Sequence, residues 1–352
     1  MTKKKTKRIL RIVFIVASIS SLYFVPWLLV KAWILPLPDT VQEQMDEAIS
    51  HGFEGMIVYI DQAGKPPQYY AAGWHDREAQ IPANPHALFK IASISKLYDA
   101  VAVTKLVNDG RLALDKTIAD YLPELMGRIE NADKITLRFM IQHRSGIPNF
   151  TDTPNFWAAP TETYEASLAL ILDKPANFEP GEDYEYCNTN YLLINKIMDN
   201  ELGYGNFQFI QEEILTPLNL TNTYPSLSEV NTDRVMSGYH VGHPHDLKAD
   251  EHGMLATAED VGIFLRALND ASLSGRQGSL FKPGEREIYA SVYEFEHGGW
   301  VPGYQSFAAY HKDIDAVVIA FYSTTDPKLY YWNLSEIINN RIVKILKRQK
   351  SS

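Results

Sequence analysis

Hydrophobic and polar positions divide this chain into three kinds of stretch. Ile12 to Val30 (IVFIVASISSLYFVPWLLV) is an uncharged, apolar-dominated run of 19 residues. At about 1.5 Å of rise per residue, such a run is long enough to cross a lipid hydrocarbon layer as a helix. Apolar residues at four-residue spacing (Val41, Met45, Ile49) predict a helix over Asp39 to Gly52, stopped by the glycine. The runs Gly55–Ile60 and Gln68–Gly73 read as strands joined by the turn Asp61-Gln62-Ala63-Gly64. The middle is helical in pattern, with candidates at Ser93–Asp109, Tyr164–Leu172, Tyr191–Leu202, Phe207–Ile214 and Ala258–Leu268. Thr257 and Asp260 form the start signal of the last of these. Strands return at Ser306–Tyr310 and at the β-branched and aromatic run Ala316–Tyr322. The chain closes on a helix with Leu334, Ile337, Ile338, Ile342 and Ile345 on one face. Two strand-rich ends around a helical middle predict an α+β fold. One sheet is built from both ends, helices flank it, and an inserted helical lobe leaves a cleft at its border.

Charge sharpens the first stretch. Six basic residues (Lys3, Lys4, Lys5, Lys7, Arg8, Arg11) precede the apolar run, Lys31 follows it, and no acid falls in the first 31 residues. The positive-inside bias then predicts a single-pass cell-membrane anchor over 12–30, with residues 1–11 in the cytoplasm and the body extracytoplasmic. The alternative, a cleaved signal peptide, lacks a good small-x-small site after Val30, and Ser18-Ile19-Ser20 leaves too short an apolar core. Pro26 is tolerable inside a membrane span. Trp27, Trp33 and the Pro36/Pro38 pair suit an interfacial collar and a stiff linker over 31–40. No composition shift marks a further boundary. One domain is therefore expected over 41–346, with a short basic tail, 347–352, whose default is solvation.

The remainder of the chain carries 26 basic against 43 acidic residues. A body that acidic repels phosphate backbones, so no nucleic-acid partner is expected. Cys187 is the only cysteine, which excludes an internal disulfide and a cysteine-based zinc site. It reads as a small packed thiol. His240, His243, His245, Asp246 and His252 lie close in sequence, but intervening Gly and Pro break any register. They read as loop residues, with no metal and no cofactor expected. Oligomeric state is not encoded in any pattern found.

Three clusters could carry chemistry. Ser93-Ile94-Ser95-Lys96 opens a helix, and a spacing of three sets the Lys96 amine over the Ser93 hydroxyl. A serine needs a neighbour to take its proton, and the helix start offers backbone N–H donors for an oxyanion. Tyr186-Cys187-Asn188 lies on a loop before a helix and offers a phenol for proton relay beside an amide. His297-Gly298-Gly299-Trp300 leads into a strand, where glycines let a substrate backbone approach. His143 reads as structural, next to its Ser145-Gly146 turn.

In this order the clusters resemble the serine β-lactamase and penicillin-binding protein superfamily. The resemblance is to the branch of class C β-lactamases, D-Ala-D-Ala carboxypeptidases and esterases, with motifs Ser-x-x-Lys, Tyr-x-Asn and Lys/His-Thr/Ser/Gly-Gly. Asp109–Asp115, Tyr121–Pro123, Ile141–Pro148 and Gly253–Asp260 are similar as well, so it covers roughly residues 50 to 325. The resemblance implies Ser93 as acylated nucleophile and Lys96 as base, alone or with Tyr186. Tyr186 would carry the proton to the leaving group, and Asn188 would position Lys96 and the substrate amide. It implies an oxyanion hole from the backbone N–H groups of Ser93 and Trp300. His297, with Gly298 and Gly299, would face the substrate carboxylate where many relatives have lysine. With a reference pKa of about 6.5, that histidine would hold a carboxylate less well as pH rises. The expected partner is a small D-amino-acid peptide of cell-wall type, or a related amide or ester. A β-lactamase, or a non-catalytic β-lactam or wall-fragment binding protein, remains the alternative.

Overall fold

The computed structural model describes residues 3–161, 163–250, 253–270 and 280–351. Its centre is a six-stranded antiparallel sheet. In spatial order the strands are Ile81–Pro82, Gln68–Asp76, Gly55–Gln62, Ala316–Tyr322, Tyr304–His311 and His297–Val301. The chain's two ends meet at its middle, where Val58 pairs with Ala320 and Ile60 with Val318. These two strands are buried nearly throughout, which is why they read as continuous apolar runs rather than alternations.

The pleat sends alternate residues to two cores. Met56, Val58, Ile60, Val318 and Ala320 pack under the terminal helices Val41–Ser50 and Tyr330–Ser351, against Met45, Leu334, Ile338 and Ile342. Ile57, Tyr59, Val317, Ile319 and Phe321 face the helix Ala258–Asn269 and the helical lobe. That helix lies tight on the sheet, since a Cβ on Gly262 would stand 2.2 Å from the Tyr59 ring. The lobe includes the buried helix Ser95–Asn108 and the helix Asn188–Leu202. Two small sheets stitch it on. Phe89–Lys90 and Thr223–Tyr224 flank Leu255–Ala256, and Tyr239–His240 pairs in parallel with Thr324–Thr325.

The N-terminal segment departs from expectation. Among the described residues no single helix is long and apolar enough to cross a membrane. Leu10–Phe24 and Trp27–Ile34 pass together as a pair bent by 77°. The break falls at Pro26, which has no N–H to donate and forces Val25 into an extended conformation (ψ 129°). The indole of Trp27 donates instead to the Leu22 carbonyl at 2.9 Å. The bend lets the second helix lie on the C-terminal helix, with Ala32 buried. The following segment is pinned there too: Arg341 donates to the carbonyls of Leu35 and Pro36, both at 2.8 Å, and to Gln44 Oε1. In the tail, Lys347 pairs with Asp313 at 2.7 Å and Arg348 with Asp39 at 3.2 Å, both pairs exposed to solvent.

Candidate active site

Ser93 sits in a single 3-10 turn, Ala92–Ile94, that feeds the helix Ser95–Asn108. The turn is held from three sides. The N–H of Ile91 donates to the Met254 carbonyl at 3.0 Å, and Ser306 Oγ donates to the Ile91 carbonyl at 2.7 Å. The strand His297–Val301 passes so close that a Cβ on Gly299 would lie 2.5 Å from the Ile91 oxygen. Ala92 takes a left-handed φ of 48°, which costs a non-glycine residue roughly 1–2 kcal/mol and persists because these contacts fix the turn.

One turn along, Lys96 Nζ donates to Ser93 Oγ at 3.1 Å and to Asn188 Oδ1 at 3.0 Å. Tyr186 Oη donates to the same Ser93 Oγ at 2.7 Å. The helix Asn188–Leu202 begins here, so Asn188 is fixed at its first turn. Its N–H donates to Asn149 Oδ1 and its Nδ2 to Thr151 Oγ1, each at 3.0 Å. Ser93, Lys96, Tyr186 and Asn188 thus form one hydrogen-bonded chain at the seam between lobe and sheet. His297–Val301 is the last strand of the sheet, and Ser93 lies beside its backbone. Trp300 stands at its far end, edge-on to Trp157 at 5.4 Å, with its indole Nε1 buried and unpartnered.

The electrostatics centre on Lys96, which is only 7% exposed. Asp99, fully enclosed one turn below, has its pKa pushed up to about 7 by burial, against the pull of Lys96. His143 stacks on Tyr186, centroids 4.5 Å apart, and its Nδ1 accepts the Cys187 N–H at 3.0 Å. Burial, aided by Lys96 and His297, lowers the His143 pKa to about 3. His297 is likewise lowered to about 4 by burial, with Lys96 adding to the effect. That lowering moves any pH dependence carried by His297 to the acid side of its reference value.

Cys187 is buried, its Sγ 3.3 Å from the Ile147 carbonyl, and burial raises its thiol pKa. His240 is bonded to Thr325 Oγ1 at 2.7 Å and Asp246 accepts from Ser237 at 2.6 Å, so they face different partners. His252 lies outside the described residues. Among the described residues no three His, Cys, Asp or Glu side chains gather as a metal set. Sequence reasoning missed the contact of His143 with Tyr186, and missed Thr151 and Asp99 altogether. The spacing of Asp99, three residues after Lys96, was the one available signal.

Residues 37–331 match the family described as Beta-lactamase. The chain belongs to that family. It is accordingly a member of the β-lactamase and penicillin-binding protein superfamily. Protein flp of Staphylococcus aureus (strain COL) is 26% identical over 193 residues, which is 53% of this chain and 39% of flp. Penicillin-binding protein 4* of Bacillus subtilis (strain 168) is 22% identical over 66% of this chain and 51% of its own length. The matches thus span about two-fifths to one half of these relatives. Among solved structures, D-amino acid amidase from Ochrobactrum anthropi SV3 superposes with a TM-score of 0.75 at 22% identity. That match covers 88% of this chain and 98% of the amidase. A penicillin binding protein from Bacillus halodurans gives 0.69 at 17%, covering 86% and 99%. These likenesses establish the antiparallel sheet with flanking helices.

Proposed function

We infer that the protein is a membrane-tethered, extracytoplasmic hydrolase that is acylated on Ser93 by D-amino-acid amides, small D-peptides of cell-wall type, or related esters. The observation that carries this is the double contact at Ser93 Oγ, met by Lys96 Nζ at 3.1 Å and Tyr186 Oη at 2.7 Å. In the reaction, Ser93 Oγ bonds to the substrate carbonyl carbon as its proton passes to the Lys96 amine, alone or with Tyr186. The carbonyl oxygen takes up the negative charge beside the backbone N–H groups of Ser93 and Trp300. Collapse breaks the bond to the leaving nitrogen or oxygen, which receives the proton through Tyr186. Water then repeats the sequence on the acyl-enzyme, returning Ser93 with its proton. Asn188 holds the Lys96 amine toward Ser93 throughout. The D-amino-acid substrate class is supported by the likeness to D-amino acid amidase and penicillin-binding proteins. The tether is supported by the bent apolar pair behind six basic residues.

Intact mass of the full chain in detergent, after incubation with penicillin, D-phenylalanine amide or a short-chain ester, tests the chemistry. Wild type is expected to gain the acyl mass or turn the substrate over, and Ser93→Ala to do neither. Unchanged labelling of Ser93→Ala removes the reading. For the tether, the chain is expected to stay with membranes at alkaline pH, and release into the supernatant overturns it.

A further inference from the structure

The helix Trp27–Ile34 (WLLVKAWI) carries one charge, Lys31, and is apolar on every side. A helix of that kind calls for apolar cover all round. One side has it. Leu28, Leu29 and Ala32 fall together on the helical turn and pack against the core under the terminal helices. The opposite arc holds Trp27, Trp33 and Ile34, which are 56, 75 and 65% exposed, with half-buried Val30 among them. Among the described residues the body leaves this arc uncovered. The helix is not free to turn it inward, because Arg341 donates to the carbonyls of Leu35 and Pro36 and fixes the chain directly after it.

The place of this helix in the chain says what lies against the arc. Upstream, Ile12–Phe24 is uncharged and rises only about 20 Å at about 1.5 Å per residue. The hydrocarbon layer of a bilayer is about 30 Å thick. The missing depth is made up if Trp27–Ile34 sinks into the membrane interface instead of standing above it. The 77° bend suits that: with the first helix along the bilayer normal, the second lies near the membrane plane. Indole rings favour that depth, and the exposed Tyr23 and Phe24 continue the apolar surface through the bend. Lys31 stands on the flank of the arc, where its amine can reach headgroup phosphates.

We propose that the outer arc of Trp27–Ile34 lies in the outer-leaflet interface of a lipid bilayer, so that the terminal-helix side of the body faces the lipid and the Ser93 cleft faces away from it. Ala32 belongs to the core on one face of the sheet, whereas Ile91 and Ile94, around Ser93, belong to the core on the other. The sheet therefore stands between bilayer and nucleophile, and the cleft takes substrate from the aqueous side, not substrate embedded in the lipid. The inference deepens the tether reading and rests on it; it does not depend on the chemistry at Ser93.

The test places a bimane fluorophore on the full chain at Ile34→Cys, at Trp33→Cys as a second position on the same arc, or at Met126→Cys, which is exposed on the helical lobe. Each variant is reconstituted into vesicles of phosphatidylethanolamine and phosphatidylglycerol, with and without lipid-borne nitroxide quenchers. Quenching at 34 and 33 is expected to exceed that at 126 roughly threefold or more, since an interfacial face sits about 5–10 Å into the headgroup and acyl boundary. Equal quenching at all three positions, or stronger quenching at 126, overturns the proposed orientation. If the chain stays with the vesicles at alkaline pH while 33 and 34 are untouched by the quencher, the proposal falls and the tether stands. Disulfide pairing of two chains through Ile34→Cys, with 33 shielded from lipid, overturns it by giving the arc to a second copy. Release of the chain at alkaline pH sinks the tether and this inference together.

Discussion

The two faces of the central sheet bury polar groups for different ends. Under the terminal helices the core is largely aliphatic, with Phe53 and Tyr322 among it, and its buried guanidinium forms a clamp. Arg341 ties the helix Tyr330–Ser351 to Gln44, to Glu47 and to the linker carbonyls of Leu35 and Pro36. On the lobe side one set of buried polar groups, Lys96, Asp99 and His143, clusters around one hydroxyl. Lys96, Asp99 and His143 are all under a tenth exposed, and Nε2 of His143 and Oη of Tyr191 have no partner. The first arrangement satisfies its guanidinium with two backbone carbonyls, an amide oxygen and a carboxylate. The second holds the Asp99 carboxyl at about 7, well above where water would leave it, close beside the nucleophile's lysine.

That contrast can be broken in three places. The largest effect is expected from Lys96→Ala, which removes the base. Acylation by a fluorescent penicillin or an ester should slow roughly 10²–10⁴-fold. A cooperative thermal transition should be retained, and an unaffected acylation rate would remove Lys96 from the chemistry. Next is Ile338→Ala on the opposite face. Deleting a fully buried side chain there should cost about 2–5 kcal/mol in urea unfolding. The kcat/KM of the folded enzyme should change less than twofold, and a large catalytic loss would mean the two faces are not separate. The smallest effect is in pH. His143 is held near 3 and His297 near 4, both below their unfolded values. The unfolded chain therefore binds their protons first as pH falls. The stability these residues confer is full above about pH 6.5 and declines toward 3–4, by about 1.4 kcal/mol per unit per histidine. His143→Gln should flatten the fall in urea midpoint between pH 7 and 4.5; an unchanged slope would show that His143 is not held neutral.

The regular elements were legible where burial is uniform. Ala316–Tyr322 is a strand with the bounds its pattern gives, and Ala258–Asn269 starts at its Thr257 cap. The predicted helix over Phe207–Ile214 instead passes from an α-turn, Asn206–Ile210, into a π-turn, Gln211–Leu215, a change of winding that apolar spacing does not encode. The strand His297–Val301 was visible only as a glycine-rich lead-in, because close approach to the nucleophile turn and Trp332 replaced side chains with hydrogen atoms. The run through Pro26 is a bent pair of helices and not one helix, because apolar length does not say whether a proline's missing bond will be absorbed or will turn the helix. For the site, spacing alone set Lys96 over Ser93. That Tyr186 would come to share the same oxygen depended on a chain separation of 93 residues.

By itself the sequence determined the strands and helices, the acidic body and the set of reactive residue types, since these follow from local spacing and composition. Only the tertiary structure decided what state those residues are held in. The neutrality of His143 and the lifted carboxyl of Asp99 come from burial among neighbours brought in from elsewhere in the chain that exclude water, and exclusion of water is a property of packing.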